Sequence, residues 1–379
     1  MRLKVSKYFD LERYQDRVDR NRQRWDEFMR GERQVLAFMN LCAPSLCTMF
    51  GVGFGDYYTD LATMADTQLR GIAWRLANLD EDEIPEAVFL DQGTLHEAIA
   101  FNLPVEWRPD SPPWGGRYIL DAPGVDRLVS PSFLGHRGLS QTRERLEQLR
   151  EIVVGIPVLA SVHLHAPFTM AAQLIGSEQL YLLCSEEPAR AHALIKSCLS
   201  YFKLFEEAKL QYGISPDPLD EFVCWRGAQR GMSRIWVSDD SAPAISPGFY
   251  KSFVFPYNQA LFATYQYIHL HMDGKWDHLL PLVAKLSPAF VEVGGETDWT
   301  GAIQTLGPGA ILQGGVSGSV GLSGTPADCA SAAESSLEST ADHARVVITI
   351  AQEPYPGTPV ENMQAILNAV RRWENQKPF

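Results

Sequence analysis

The second half of the chain alternates short apolar strands with helices that begin at a Ser-Pro or Thr-Pro pair. The pairs are Ser246-Pro247, Thr325-Pro326 and Thr358-Pro359. Each places a capping hydroxyl before a proline at the first helical position, where the missing N–H costs nothing. Because every helix returns the chain to the same edge of the sheet, such repeats predict parallel strands and an α/β fold.

The length of 379 residues would allow two or three domains, but single α/β barrels also reach this size. No fixed repeat or low-complexity linker divides the chain, so we expect one domain over 1–379. Within it, residues 1–80 are expected to form a helical extension with a lid loop, and residues 81–379 the barrel. The loop, at 43–60, contains Gly51, Gly53 and Gly55, whose spacing is only a weak phosphate-loop signal.

The net charge of −13 argues against a nucleic-acid or anionic-membrane partner and is compatible with a small-molecule substrate. The six cysteines are scattered without a C-x-x-C pair, which is typical of reduced thiols. We find no signal peptide and no apolar run of transmembrane length. These features predict a cytoplasmic protein.

The stretch 266–272 has the alternation of a strand with one apolar and one polar face. Ile268, Leu270 and Met272 share the apolar face, and His269, His271 and the following Asp273 share the other. Imidazoles and a carboxylate on one strand face can bind a divalent ion such as zinc or act as an acid–base pair. Their alternative role is structural, as buried histidines that hydrogen-bond to carbonyl groups.

Polar residues also follow the other predicted strands, where a (β/α)8 barrel has its active site. Because the carboxyl ends of the strands meet at one mouth, we expect these residues to converge there. The histidines have the same structural alternative as above, and one of the two aspartates at 239 and 240 would serve only to shape a loop. The residues predicted in this way are Asp91, His163, His165 and Asp239, with Glu292 as a further ligand candidate.

Several blocks of sequence resemble the superfamily of uroporphyrinogen decarboxylase and the methylcobalamin:thiol methyltransferases. They occur in the order of that family over about residues 87–372. The resemblance implies a (β/α)8 TIM-type barrel with an N-terminal helical extension. The blocks are Ala166-Pro-Phe-Thr-Met-Ala171, Ser238-Asp-Asp240 with Ile245-Ser-Pro247, His271-Met-Asp-Gly274, Gly314-Gly-Val316 with Gly324-Thr-Pro326, and Pro356-Gly-Thr-Pro-Val-Glu-Asn362.

The positions that carry the decarboxylase chemistry are mostly changed in this chain. The catalytic aspartate of that family corresponds to Asp91, but its substrate-gripping arginines correspond to Phe50 and Phe54. A phenyl ring cannot bind a carboxylate in the bidentate way of a guanidinium group. The family's tyrosine and late histidine correspond to Gln173 and Gln352. We therefore expect Phe50 and Phe54 to cover an apolar substrate. The residues expected to line the rest of its site are Gln173, Gln352, His163 and His165.

The methyltransferase branch binds zinc through a His-x-Cys motif and a later cysteine. Here the histidine corresponds to His271, while Asp273 and Gly318 replace the cysteines. The resemblance implies a zinc or other divalent-metal site at His271 and Asp273, which His269 as the first candidate, or else His163 or Glu292, would complete. A histidine–aspartate set is harder than a thiolate set, which lowers its preference for soft partners.

Our first hypothesis is therefore a methyltransferase that uses a thiol or a corrinoid carried by a separate protein. Asp91, His271, Asp273 and Asp239 are its candidate catalytic residues. One alternative is a carboxy-lyase acting on a tetrapyrrole or a smaller carboxylate. The other is a barrel that binds a ligand without catalysis.

Overall fold

The chain folds as a (β/α)8 barrel with an N-terminal helical extension, which confirms the predicted fold class. The computed structural model describes residues 2–84, 87–93, 95–108, 110–116, 128, 136–160, 164–214, 234–340 and 345–376. The strands are β1 (Leu3–Lys4), β2 (Val35–Ala37), β3 (Val88–Leu90), β4 (Val105–Arg108), β5 (Ser111–Gly115), β6 (Val153–Val154), β7 (Val158–Ala160), β8 (Arg234–Ser238), β9 (Tyr267–Met272), β10 (Phe290–Val293), β11 (Ile311–Val316) and β12 (Arg345–Ile350).

Eight of these strands form the parallel framework of the barrel. Six hydrogen-bond in the order β2-β12-β11-β10-β9-β8, and β3 pairs with β7. Two backbone hydrogen bonds connect these groups, from Asp82 N to Ala37 O and from Ala166 N to Ser238 O, both 2.7 Å long. The carboxyl ends of the strands therefore lie on one side of the barrel, as expected for the repeated strand–helix units.

Helices connect the strands and cover the outside of the barrel. Among them no helix combines the length and apolarity needed to cross a membrane within the described residues. The helices are α1 (Leu11–Arg30), α2 (Ala43–Phe50), α3 (Phe54–Thr59), α4 (Leu61–Asn78), α5 (His96–Phe101), α6 (His136–Ile152), α7 (Pro167–Ile175), α8 (Ser177–Glu186), α9 (Pro188–Gln211), α10 (Pro247–Phe253), α11 (Phe255–Phe262), α12 (Leu280–Val283), α13 (Trp299–Leu306), α14 (Gly318–Ser323), α15 (Pro326–Thr340) and α16 (Val360–Gln376).

The N-terminal region differs from the expected helical extension and lid loop in two respects. Strand β2 lies inside region 1–80 and pairs with β12, so the barrel begins before residue 81. Residues 43–60 form helices α2 and α3 and not an open loop. Gly51 ends α2 in the left-handed conformation at φ 65°, which glycine adopts at little cost. Gly51 and Gly53 thus separate two short helices, and Gly55 lies within α3.

A buried ion-pair network fastens helix α1 to the last helix of the barrel. The Asp82 carboxylate is fully buried and pairs with Arg24 of α1 and Arg371 of α16. Asp82 Oδ2 also accepts a hydrogen bond of 2.8 Å from the Ala37 backbone at the end of β2. Burial opposes the charge on Asp82, but the two guanidinium groups outweigh it and lower the pKa of the carboxyl. Asp82 thus joins the extension, the first barrel strand and α16.

Candidate functional site

The neighbouring strands β9 and β10 place a carboxylate between two imidazoles. Glu292 lies opposite His271 in the parallel register. Its Oε2 is 2.7 Å from His271 Nδ1, and its Oε1 is 2.6 Å from His269 Nε2. With Nδ1 of His271 donating to Glu292, the Nε2 atom of that ring is directed away from the glutamate. The sequence alternation therefore predicted correctly that these two histidines share a face.

Two aspartates from successive strand ends lie beside Nε2 of His271. Asp273 Oδ1 is 2.9 Å from this nitrogen and Asp240 Oδ1 is 3.6 Å away. The Asp273 backbone N–H donates to Asp240 Oδ1 at 3.3 Å, which connects the ends of β8 and β9. One ligand atom from each of the three side chains lies within 4.8 Å of the others. We call Asp240, His271 and Asp273 the mouth cluster.

The charges around the mouth cluster determine its protonation. Burial opposes the charge on His271, but the Glu292 carboxylate and the hydrogen bond to Asp273 outweigh it and raise its pKa well above the usual value. Burial also opposes the charge on Glu292, but His271 and His269 outweigh it and lower the glutamate pKa. Burial lowers the pKa of His269. These opposite shifts favour the protonated form of His271 and the neutral form of His269, so a cation at His271 Nε2 would have to displace the proton there.

The mouth cluster has the donors of a divalent-metal site. One imidazole nitrogen and two carboxylate oxygens suit zinc and harder divalent cations. Glu292 has the position of the carboxylate that commonly orients a ligating histidine through its second nitrogen. His269, the third tentative ligand from the sequence, is fully buried and directs Nε2 to Glu292. The geometry thus groups Asp240 with His271 and Asp273.

His165 and Glu97 form a second histidine–carboxylate pair next to Asp240 of the mouth cluster. His165 Nδ1 lies 2.8 Å from Glu97 Oε1, and the same oxygen accepts the His165 backbone N–H at 3.0 Å. The other ring nitrogen, Nε2, is 4.0 Å from Asp240 Oδ2. Burial opposes the charge on His165, but Glu97 outweighs it and raises the histidine pKa. His165 therefore adjoins the site, as predicted, and His163 lies outside the described residues.

Asp91 is partly buried beside two hydrogen-bond donors. Tyr57 donates its hydroxyl to Asp91 Oδ2 at 3.1 Å, and the Gly93 backbone N–H donates to Oδ1 at 2.8 Å. Burial outweighs these bonds and raises the pKa of Asp91. The Glu353 carboxyl interacts electrostatically with Asp91 and also with Asp273 and His271.

Asp239 is separated from the mouth cluster although its neighbour Asp240 belongs to it. Asp239 is fully buried and accepts hydrogen bonds from Thr169 at 2.9 Å and Asn258 at 2.7 Å. Burial raises its pKa to about 6. Its backbone N–H donates to the His271 carbonyl at 2.9 Å. Asp239 thus stabilises the end of β8, and of the two aspartates Asp240 belongs to the mouth cluster.

The other predicted substrate-binding residues are dispersed. The ring of Phe50 lies under the Arg70 guanidinium at 4.2 Å, and Phe54 packs partly buried on the core. Gln173 is partly buried on α7. Gln352 has φ 68°, and its carbonyl accepts a hydrogen bond from Asn40 at 3.1 Å. None of these four has a described contact with the mouth cluster.

Sequence reasoning missed the partner of His165 and the roles of two acidic residues. Glu97 lies on α5, and no local pattern marks it as part of a site. Asp240 was visible only as one of two adjacent aspartates, and Glu353 as the neighbour of Gln352. Glu292, in contrast, was predicted as a ligand candidate from its place at the end of a strand, and the register of β9 and β10 places it opposite His271.

Comparison with known proteins agrees with this architecture. The family model for uroporphyrinogen decarboxylase (URO-D) matches residues 39–215 and 224–373. A solved methyltransferase from Methanosarcina mazei has a TM-score of 0.62 and 16% sequence identity, covering 92% of this chain and 97% of that one. This likeness shows a shared fold.

A B12-independent methionine synthase from Shewanella sp. W3-18-1, solved with selenomethionine, has a TM-score of 0.40 and 12% identity. It covers 63% of this chain and 68% of its own. No curated protein matches the chain. The match of the family model to most of the sequence, together with the parallel barrel, shows that this chain belongs to the uroporphyrinogen decarboxylase family.

Proposed function

We propose that this protein is a methyltransferase in which the mouth cluster binds one divalent metal ion, with zinc as the first candidate. The observation that carries the proposal is the convergence of His271 Nε2, Asp240 Oδ1 and Asp273 Oδ1 while Glu292 holds the opposite nitrogen of the imidazole. Family membership and the fold shared with the Methanosarcina mazei methyltransferase support methyl transfer as the reaction class.

The residues of the chain have separate roles in this proposal. Glu292 accepts a hydrogen bond from Nδ1–H of His271 and so orients Nε2 towards the cation. Asp240 and Asp273 supply anionic oxygens that offset the positive charge, and Ser238 steadies Asp240 by donating its hydroxyl to Oδ2. A bound divalent cation would lower the pKa of a coordinated thiol, which then reacts as the thiolate. The methyl donor proposed here is a corrinoid carried by a separate protein.

Metal analysis of protein purified without a histidine tag tests this proposal. We expect about one zinc per chain after incubation with zinc and gel filtration, and loss of that zinc in His271→Ala. His136→Ala removes an imidazole at the exposed start of α6 and serves as the matched control. Wild-type protein that retains no zinc, or His271→Ala that retains it in full, would contradict the proposal.

One observation favours a carboxy-lyase as the second candidate function. Asp91 is partly buried, accepts a hydrogen bond from Tyr57, and has a raised pKa, which suits a carboxyl group that holds a proton for transfer. A chelated, metal-free protein that still releases CO2 from a carboxylate and loses this activity in Asp91→Asn would support the lyase. A protein with neither metal binding nor turnover would support the remaining hypothesis, a barrel that binds a ligand without catalysis.

A further inference from the structure

The indole of Trp236 lies against the flat face of the His271 imidazole. The two ring centres are 5.5 Å apart and the ring planes are inclined by 28°, which is an offset stack. Nε1 of the indole is also 3.5 Å from Oε1 of Glu292. Trp236 thus contacts the histidine of the mouth cluster and lies beside the carboxylate that orients this histidine.

The strand register explains how Trp236 reaches His271. Trp236 on β8 lies opposite His269 of β9, and His271 follows two residues later on the same face of β9. Because the parallel strands run towards the mouth, Trp236 and His269 belong to a deeper layer of the barrel than His271. The indole therefore extends from that layer and lies beneath the imidazole as seen from the mouth.

The second histidine of the strand has a different aromatic partner. His269 stacks on Phe290 of β10, with ring centres 4.3 Å apart and planes inclined by 21°. Trp236 is 6.4 Å from His269 and is tilted by 47° relative to it. The closer and flatter contact of Trp236 is thus with His271.

The hydrogen bond with Glu292 does not by itself fix the direction of His271 Nε2. A hydrogen bond tolerates a misalignment of about 30°, whereas a functional group at a site must be held within about 10–20° of its working direction. Asp273 also contacts Nε2, but its side chain is 53% exposed and gives little support to the ring. Packing of the imidazole face on the indole opposes the remaining tilt.

We propose that Trp236 is a positioning residue of the candidate metal site, which holds the His271 imidazole in the plane that directs Nε2 to the cation. The role towards a cation rests on the proposed function of the mouth cluster as a metal site. The orientation of the ring depends on Trp236 and Glu292 and requires no metal.

NMR of the histidine rings in metal-free protein tests the orientation. The protein is labelled with 15N in histidine alone, and the His271 signals are identified by their loss in His271→Ala. We expect one sharp set of His271 ring signals in wild type and in Trp236→Phe, which keeps a flat ring and removes the indole N–H. Trp236→Leu removes the flat ring, so these signals should broaden or double as the imidazole adopts further orientations.

Three results of this measurement would overturn the inference. They are a single unchanged set of His271 signals in Trp236→Leu, several sets in wild type, and equal behaviour of Trp236→Phe and Trp236→Leu. The ring signals of His192, on α9, show whether each variant keeps its fold. Trp236→Met, which also lacks a ring but has a flexible side chain, replaces Trp236→Leu if the latter does not fold.

The zinc affinity of the same samples tests the consequence for metal binding. Trp236→Leu should bind zinc about tenfold more weakly than wild type, the lower end of the loss for a residue that orients a ligand, and Trp236→Phe should stay within about threefold. Trp74→Leu makes the same change at a partly buried tryptophan on α4 and is the matched control. Equal affinity in wild type and Trp236→Leu would overturn the inference. Wild-type protein with the expected ring signals and no bound zinc contradicts only the proposed metal function.

Discussion

Oε2 of Glu292 lies 2.7 Å from Nδ1 of His271. This distance fixes which imidazole nitrogen faces the barrel mouth, because Nδ1 is held by Glu292 and Nε2, on the opposite side of the ring, lies beside Asp273. Glu292 also contacts His269, so a single carboxylate orients two rings on the neighbouring strand. The mouth cluster thus depends on a residue that is not a member of it.

Replacement of the orienting carboxylate should weaken metal binding without removing a ligand. We expect Glu292→Gln to reduce zinc affinity by about 10–100-fold, the usual effect of losing such a partner of a ligating histidine. Competition with a chromogenic chelator measures the affinity. Glu296→Gln, on an exposed loop after the same strand, is the control. Unchanged affinity in Glu292→Gln would show that Glu292 does not orient the ligand.

The close approach of two loops at the mouth should make one glycine essential. A Cβ at Gly294 would lie 2.3 Å from the Gly274 carbonyl oxygen, next to Asp273. Because the contact is with backbone, the loops must separate, and we expect Gly294→Ala to destabilise the fold by about 1–3 kcal/mol and to weaken zinc binding. Gly309→Ala is the control, since no atom lies within 4 Å of its added Cβ. Urea unfolding and zinc titration of both variants measure these effects, and equal behaviour would refute the steric explanation.

The buried network around Asp82 should contribute strongly to stability. In Asp82→Asn the guanidinium groups of Arg24 and Arg371 lose one buried counter-charge and keep Glu374, so we expect a loss of about 1.5–3 kcal/mol in the free energy of unfolding. Asp80→Asn is the matched control, because the Asp80 side chain is 57% exposed and its ion pairs are screened by water. Urea unfolding at neutral pH compares the two variants. Similar losses of unfolding free energy in both variants would show that the burial of the Asp82 ion pairs is not the cause.

The same residue should make stability depend on pH in acid. The pKa of Asp82 is lowered in the folded protein, so its contribution is fully present above the unfolded-state pKa of about 3.9. It is lost as pH falls through the lower, folded-state pKa. The difference in unfolding free energy between wild type and Asp82→Asn should therefore stay constant from pH 7 to about 5 and shrink as pH falls from there towards 3. A difference that stays constant as pH falls from about 5 towards 3 would contradict the assignment.

The barrel itself could be predicted because its signals are local. Capped helices after Ser246, Thr325 and Thr358 and the apolar strands before them repeat along the chain, and parallel strands follow from that order. The first barrel strand, Val35–Ala37, was not predicted because a stretch of three residues is too short to show an alternation. Its place in the barrel comes from pairing with β12, more than three hundred residues later.

The sequence by itself determined that His269 and His271 share a strand face and that polar residues collect at the strand ends. Only the tertiary structure decided which of them meet. It turned Asp240 to the mouth and Asp239 into a buried network, and it brought Glu97 to His165 across 68 positions of the chain. The reason is physical: alternation is fixed by the backbone of one strand, whereas contacts between elements depend on register, helix position and burial, which no short stretch of sequence contains.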